Sequence, residues 1–186
     1  MCPELRVTAI LIATALLGCE PLEQAPPPPR PTLPTVPEPP EPEAVQSDAA
    51  DDTPATSATL MSVTDGDTIV VKLDGKRERV RLIGIDTPET ANSPRGPQPF
   101  ADEATKALEK LLGRGRVELR FDAEERDHYG RLLAYVYAAD GTFVNEALVR
   151  DGWARAIRVP PNVRHAKHFE SLARAARRER RGMWGA

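Results

Sequence analysis

Five short strand-like stretches, tight-turn residues between the early ones, and three amphipathic stretches after the third and fifth define the class of this chain. They predict a mainly β fold with α: a five-stranded OB-fold barrel capped by three helices. The pattern occupies residues 58–186 and stops there.

Thr59–Val63 reads as a first strand, Thr68–Leu73 as a second and Lys76–Ile85 as a third. Asp74-Gly75 joins the last two with the residues a two-residue hairpin turn requires. A Pro- and Gly-rich loop, Ser93–Pro99, leads to Phe100–Leu112, where Phe100, Ala104, Leu108, Leu111 and Leu112 fall on one helical stripe. Asp102 and Glu103 in its first turn and Lys110 near its end complement the helix dipole, and Gly113 ends it. Val117–Phe121 is the fourth strand and Leu132–Tyr137 the fifth; Val144–Arg150 forms a short helix ended by Gly152. Arg164–Arg181 is a last helix, with Phe169, Leu172 and Ala176 inward and arginines outward.

Upstream, Val7–Leu17 is an apolar run too short to cross a bilayer and shaped like a secretory segment. It ends in Leu16-Leu17-Gly18-Cys19, which resembles a bacterial lipobox, so residues 1–19 are expected to be a lipoprotein-type signal peptide with Cys19 acylated. Residues 20–57 are a Pro-rich linker: repeated proline favours extended polyproline II, and without apolar side chains no core forms. The expected location is therefore extracytoplasmic, lipid-anchored to a bacterial membrane or secreted.

Charge divides along the same line. Residues 1–57 hold two Arg against nine acids, whereas residues 58–186 hold 23 Lys and Arg against 19 acids. A basic domain on an acidic leader points weakly to a polyanionic partner. Cys2 and Cys19 are the only cysteines, which excludes a disulfide framework and thiolate metal ligation inside the domain. A metal there has oxygen or imidazole ligands, and hard oxygen ligands favour calcium, magnesium or manganese.

The densest charge lies at Asp65–Glu89. Asp67 and Asp86 are separated by one hairpin, so adjacent strands would bring their carboxylates to one barrel edge. Two aspartates, a backbone carbonyl and waters make a calcium-type site. Pro88 forces Thr87 into an extended conformation that can aim its carbonyl there. Asp65, followed by glycine, reads as turn chemistry. Arg81 shares strand parity with Ile83 and Ile85, so its guanidinium is expected to leave an otherwise apolar face, where it needs a phosphate or a neighbouring carboxylate. Asp127-His128-Tyr129-Gly130-Arg131 enters the fifth strand with a second arginine and a tyrosine able to stack on a base. With Glu89 these supply a base, a cation site and two phosphate clamps, the parts of metal-assisted phosphodiester hydrolysis. His165 and His168, three apart and without a zinc-helix signature, read as solvated surface residues.

Asp65-Gly66-Asp67-Thr68, Arg81 through Asp86-Thr87-Pro88-Glu89-Thr90, the run Asp127–Tyr137 and Val144–Gly152 together resemble the staphylococcal nuclease (thermonuclease) family over essentially the whole domain. The resemblance implies a monomeric calcium-dependent endonuclease that hydrolyses single-stranded DNA and RNA to products with 3′-phosphate ends. It implies calcium ligands at Asp67, Asp86 and the Thr87 carbonyl, a water-activating Glu89, phosphate-binding Arg81 and Arg131, and a nucleotide-pocket Tyr129. Arg158 stands about where the family carries a nucleotide-contacting tyrosine, and His128 replaces a lysine; both changes bear on substrate affinity. The alternative is a noncatalytic nucleic-acid-binding OB-fold module on the cell surface, against which the complete set of acids and arginines argues.

Overall fold

A computed structural model describes residues 53–91 and 96–185. The expected signal peptide, Cys19, nearly all of the linker and residues 92–95 of the Pro- and Gly-rich loop lie outside them.

The described chain runs β1 (Ala55–Asp65), β2 (Thr68–Leu73), β3 (Lys76–Leu82), β4 (Ile85–Asp86), α1 (Ala101–Leu112), β5 (Arg116–Arg120), β6 (Leu132–Ala138), α2 (Val144–Arg150), β7 (Arg155–Ala156), α3 (Ala166–Arg178) and a 3-10 turn at Gly182–Trp184. Five strands close into a barrel in the order β1-β2-β3-β6-β5, and three α-helices accompany it, as the OB-fold expectation required. Closure depends on β1, which pairs with β5 through Ala55–Thr59 and with β2 through Thr59–Asp65. Register shifts at Leu60/Ser62 and Val63/Asp65 bend it between its two partners. It begins at Ala55, inside the segment read as linker.

Alternate residues fill the barrel: Ile69 and Val71, Val80 and Leu82, Val117 and Leu119, and Leu132, Ala134 and Val136 are buried. β6 is apolar on both faces because Tyr135, on its outer side, is covered by Phe143 and by Phe169 of α3. At the β2–β3 hairpin Asp74 and Gly75 both have positive φ, 49° and 80°, the conformation of the favoured turn.

The third strand differs from its expectation. It stops at Leu82, the chain turns through Ile83-Gly84, and Ile85-Asp86 starts a separate two-residue strand paired with β7. Gly84 has φ +77°, and a Cβ there would lie 2.9 Å from the Phe169 ring. Only glycine satisfies both conditions. The parity argument for Arg81 therefore fails: within β3 the inward residues are Val80 and Leu82, and Arg81 points away from the barrel interior. Nor are the histidines solvated. His165 packs edge-on against Tyr135, with ring centroids 4.6 Å apart, and His168 Nε2 lies 3.0 Å from Glu146 Oε2 with its side chain only 9% exposed.

Candidate active site

β2 and β3 place Thr68 opposite Arg81, and the Leu82 N–H donates to the Asp67 carbonyl over 2.9 Å. Asp67 thus lies at the end of β2 beside the outward face of β3. Its Oδ2 accepts a hydrogen bond from the Thr87 N–H at 3.1 Å and its Oδ1 one from Thr68 Oγ1 at 3.1 Å. Arg81 Nη1 is ion-paired with Asp67 Oδ2, and Arg81 Nη2 reaches Asp86 Oδ1 at 3.4 Å. One guanidinium, 18% exposed, spans both aspartates, so the two carboxylates do converge. Arg81 has found neighbouring carboxylates, one of the two kinds of anion its position called for.

Burial raises the pKa of Asp86 above its ordinary value; Arg81 and Arg155 pull it down while Asp67 and Glu89 push it further up. Asp65 is pushed up to about 6, first by burial and then by the charge of Asp67, whose N–H it accepts at 3.1 Å. That bond to the N–H two residues on is the turn chemistry expected of Asp65, and it also orients the Asp67 backbone. The oxygen-only donors suit a hard divalent cation. Among the described residues no cluster of three or more His, Cys, Asp or Glu is suited to hold a metal, so a further protein donor to such an ion has to be a backbone or neutral oxygen.

Parallel pairing of β3 with β6 sets Leu133 opposite Arg81. Arg131, two residues before Leu133, has the same parity and emerges on the same side. Asp127 fixes it there: Oδ2 accepts from Arg131 Nε at 2.7 Å, while Oδ1 accepts the N–H groups of Arg131 and Tyr129 at 2.9 and 3.0 Å. Arg81 and Arg131 line one cavity of about 380 Å³, with Ile83, Ile85 and Leu133 as apolar wall and His128 at its edge. Tyr129 is 74% exposed, its ring 5.5 Å from the Arg131 guanidinium. Ile157, Val159 and Asn162 are also among its lining residues, whereas the exposed Arg158 takes no part in it.

This arrangement can be set beside known proteins. Residues 79–186 match the model of the family described as staphylococcal nuclease homologue. Thermonuclease of Staphylococcus intermedius is 43% identical over 122 residues, 66% of this chain and 72% of that protein. Thermonuclease of Staphylococcus hyicus is 38% identical over 125 residues, 67% and 73%. Endonuclease YncB of Bacillus subtilis (strain 168) is 39% identical over 130 residues, 69% and 61%. This chain belongs to the staphylococcal nuclease homologue family. The segment matched to the family model contains Arg81, Asp86, Thr87, Glu89, Tyr129 and Arg131, while Asp67 stands upstream of it.

Several residues of this family member that hold the site in place escape a reading of the sequence. Buried Asn145 accepts the Val136 N–H at 2.9 Å and donates to the Ile83 carbonyl at 2.9 Å, tying α2 to β6 and to the β3–β4 turn. Gln98 exchanges hydrogen bonds with the Glu89 backbone, its Oε1 accepting at 3.3 Å and its N–H donating at 2.8 Å. Gly66 is buried because a Cβ would come within 2.7 Å of Thr87 Oγ1 and 3.1 Å of the Ala104 Cβ on α1. Close approach, which the dipeptide Asp65-Gly66 does not announce, lets Thr87 bond Asp67.

Proposed function

We propose that this chain is a nuclease, a calcium-dependent phosphodiesterase that cleaves single-stranded DNA and RNA endonucleolytically and leaves 3′-phosphate ends. The observation that carries the reading is that Arg81 and Arg131 line one cavity while Arg81 also bridges Asp67 and Asp86. Two guanidiniums aimed into one concave space beside converging carboxylates suit a phosphodiester and a cation.

Asp67, Asp86 and the Thr87 carbonyl would hold a calcium ion, which would supply neutralisation of phosphate charge. Asp67 is held for this task by the Thr87 N–H and Arg81 on Oδ2 and by the Thr68 hydroxyl on Oδ1, which keeps one lone pair of Oδ1 for a cation. Arg81 and Arg131 donate to the nonbridging oxygens as charge builds on the phosphorus. The contacts of Arg81 with the aspartates use its Nη groups, which leaves Nε–H for a phosphate oxygen. Glu89 orients the attacking water and takes its proton as the water oxygen bonds to phosphorus; the phosphorus–O5′ bond breaks, and the 5′-oxygen takes a proton from solvent. Exposed Tyr129 stacks on the base. In its setting the domain is a monomer carried on a proline-rich spacer and tethered to a bacterial membrane through acylated Cys19, which labelled fatty acid and Cys19→Ser would test.

Incubation of the protein with single-stranded DNA, first with calcium and then with chelator, tests the activity. Degradation that stops with chelator supports it; binding without degradation supports the noncatalytic module. Glu89→Gln is expected to keep calcium binding and suppress turnover, and cleavage at the unaltered rate ends the assignment of Glu89.

A further inference from the structure

We propose that α3 and Trp184 form a second binding surface for a single-stranded nucleic acid, taking the strand beyond the scissile phosphate along Arg155, Trp184, Arg177, Arg174 and Arg178. The proposal rests on the nuclease reading above.

Charge is the first ground. Residues 164–181 hold seven Lys and Arg against two Glu, whereas the remainder of residues 58–186 holds sixteen bases against seventeen acids. The positive excess of the domain is therefore confined to this one segment. α3 buries Ala166, Phe169, Ala173 and Ala176, which leaves Arg174, Arg177 and Arg178, spaced three and four residues apart, exposed on its other side. Arg126, Arg131 and Arg150 are each paired with an acid, but Arg174 and Arg178 make no salt bridge among the described residues. Unpaired guanidiniums on one stripe keep their full attraction for a phosphate backbone.

Continuity with the candidate active site is the second. A cavity of about 330 Å³ is lined by Pro88, Gln98, Phe100, Arg155 and Trp184, among others. Pro88 separates Thr87 from Glu89, Gln98 bonds the Glu89 backbone, and Arg155 is the cross-strand partner of Asp86. This cavity thus adjoins the acidic side of the site, whereas the cavity with His128 at its edge adjoins the arginine side. An endonuclease cuts within a strand, so substrate has to leave the reacting phosphate in both directions. Trp184 presents an aromatic ring for stacking, and the Arg177 guanidinium lies 4.3 Å from its centroid, carrying the track from the cavity onto α3.

The test measures binding apart from cleavage. Fluorescence anisotropy of a labelled single strand of about 20 nucleotides and of a labelled dinucleotide is followed in chelator, for the wild-type chain, Arg174→Gln/Arg178→Gln, and the control Lys106→Gln/Lys110→Gln, which removes the same charge from the exposed side of α1. The arginine variant is expected to bind the long strand about tenfold more weakly, with a salt slope shallower by about 1.4. Its loss on the dinucleotide is expected to be much smaller. Equal losses from the lysine control, or no loss from the arginine variant, overturn the proposal. So does a variant that keeps strand affinity but loses binding to vesicles of anionic phospholipid, which would make the stripe a membrane surface. A wild-type chain that binds through α3 yet never cleaves with calcium defeats the nuclease reading and leaves the binding surface standing.

Discussion

The side-chain amide of Asn145 donates to the carbonyl oxygen of Ile83 over 2.9 Å, inside the protein and across two elements distant in sequence. The same side chain accepts the Val136 N–H, so Asn145→Ala leaves two buried backbone groups unpaired. The expected cost is about 2 to 4 kcal/mol, read as a lower urea midpoint at unchanged slope. Because Ile83 begins the turn between Arg81 and Asp86, cleavage is also expected to fall below the unfolding range. A loss under about 1 kcal/mol would show that the neighbouring groups find other partners.

Gly66→Ala brings a methyl against Thr87 Oγ1, Thr87 Cβ and Ala104 Cβ, at 2.7, 2.9 and 3.1 Å before relaxation. None of these belongs to a long flexible side chain, so the turn itself has to move. About 1 to 3 kcal/mol of stability is expected to be lost. Calcium affinity, measured by titration calorimetry, is expected to weaken by about tenfold or more, as when partners that orient a metal ligand are disturbed. Full affinity in a destabilised variant would separate the packing of Gly66 from the placing of Asp67.

Local signals carried most of the fold. Period-two alternation marks β5, a β-branched run marks β2, Asp74-Gly75 marks the hairpin, and the stripe of Ala104, Leu108 and Leu112 marks α1, each readable within a few residues. The end of β3 was illegible because Leu82, Ile83 and Ile85 carry apolar residues straight through it, and the chain turns there where the Phe169 ring, from a helix far downstream, packs on Gly84. β4 and β7 have two residues each, too few to alternate, so the pairing of Asp86 with Arg155 left no pattern. In the site, Asp67 and Asp86 converge as expected, but Asp86 lies on β4, which pairs with β7 and not with β2, and Arg81 spans the two. The outward course of Arg81, the support of Arg131 by Asp127, and the grip of Gln98 on Glu89 depend on tertiary contacts that spacing does not encode.

Asp127 gives a pH signature. Desolvation pushes its carboxyl up, but the side-chain and backbone hydrogen bonds and the charge of Arg131, with the Tyr129 N–H, outweigh it and hold the pKa below its ordinary value. A depressed folded pKa contributes stability that is fully present above the ordinary carboxylate range, about 4, and is lost as pH falls through the folded value. Asp127→Asn is therefore expected to be less stable than wild type by about 1 kcal/mol at neutral pH, with the gap closing under acid. Denaturant midpoints across that range check it; a gap that persists unchanged below the carboxylate range would assign the loss to packing.

Arg81 and Arg131 are the residues at which charge and shape can be told apart. Arg81→Lys and Arg131→Lys each keep a cation in the cavity of about 380 Å³ but remove the planar fork. A lysine at 81 cannot bond Asp67 and Asp86 through two separate nitrogens, and one at 131 has no Nε–H to meet Asp127 Oδ2 at 2.7 Å. If the guanidiniums act on charge that develops only in the transition state, kcat on single-stranded DNA falls by about 10² to 10³ for each, while strand binding in chelator changes only a few-fold. If instead they act as plain cations that attract the backbone, lysine restores most of kcat, and what is lost appears in KM and in the salt dependence. The double variant adds a further discrimination: two groups serving one phosphate are expected to give a combined loss smaller than the product of the single losses. Multiplicative losses would mean that the two arginines act on separate parts of the substrate, despite the cavity they share.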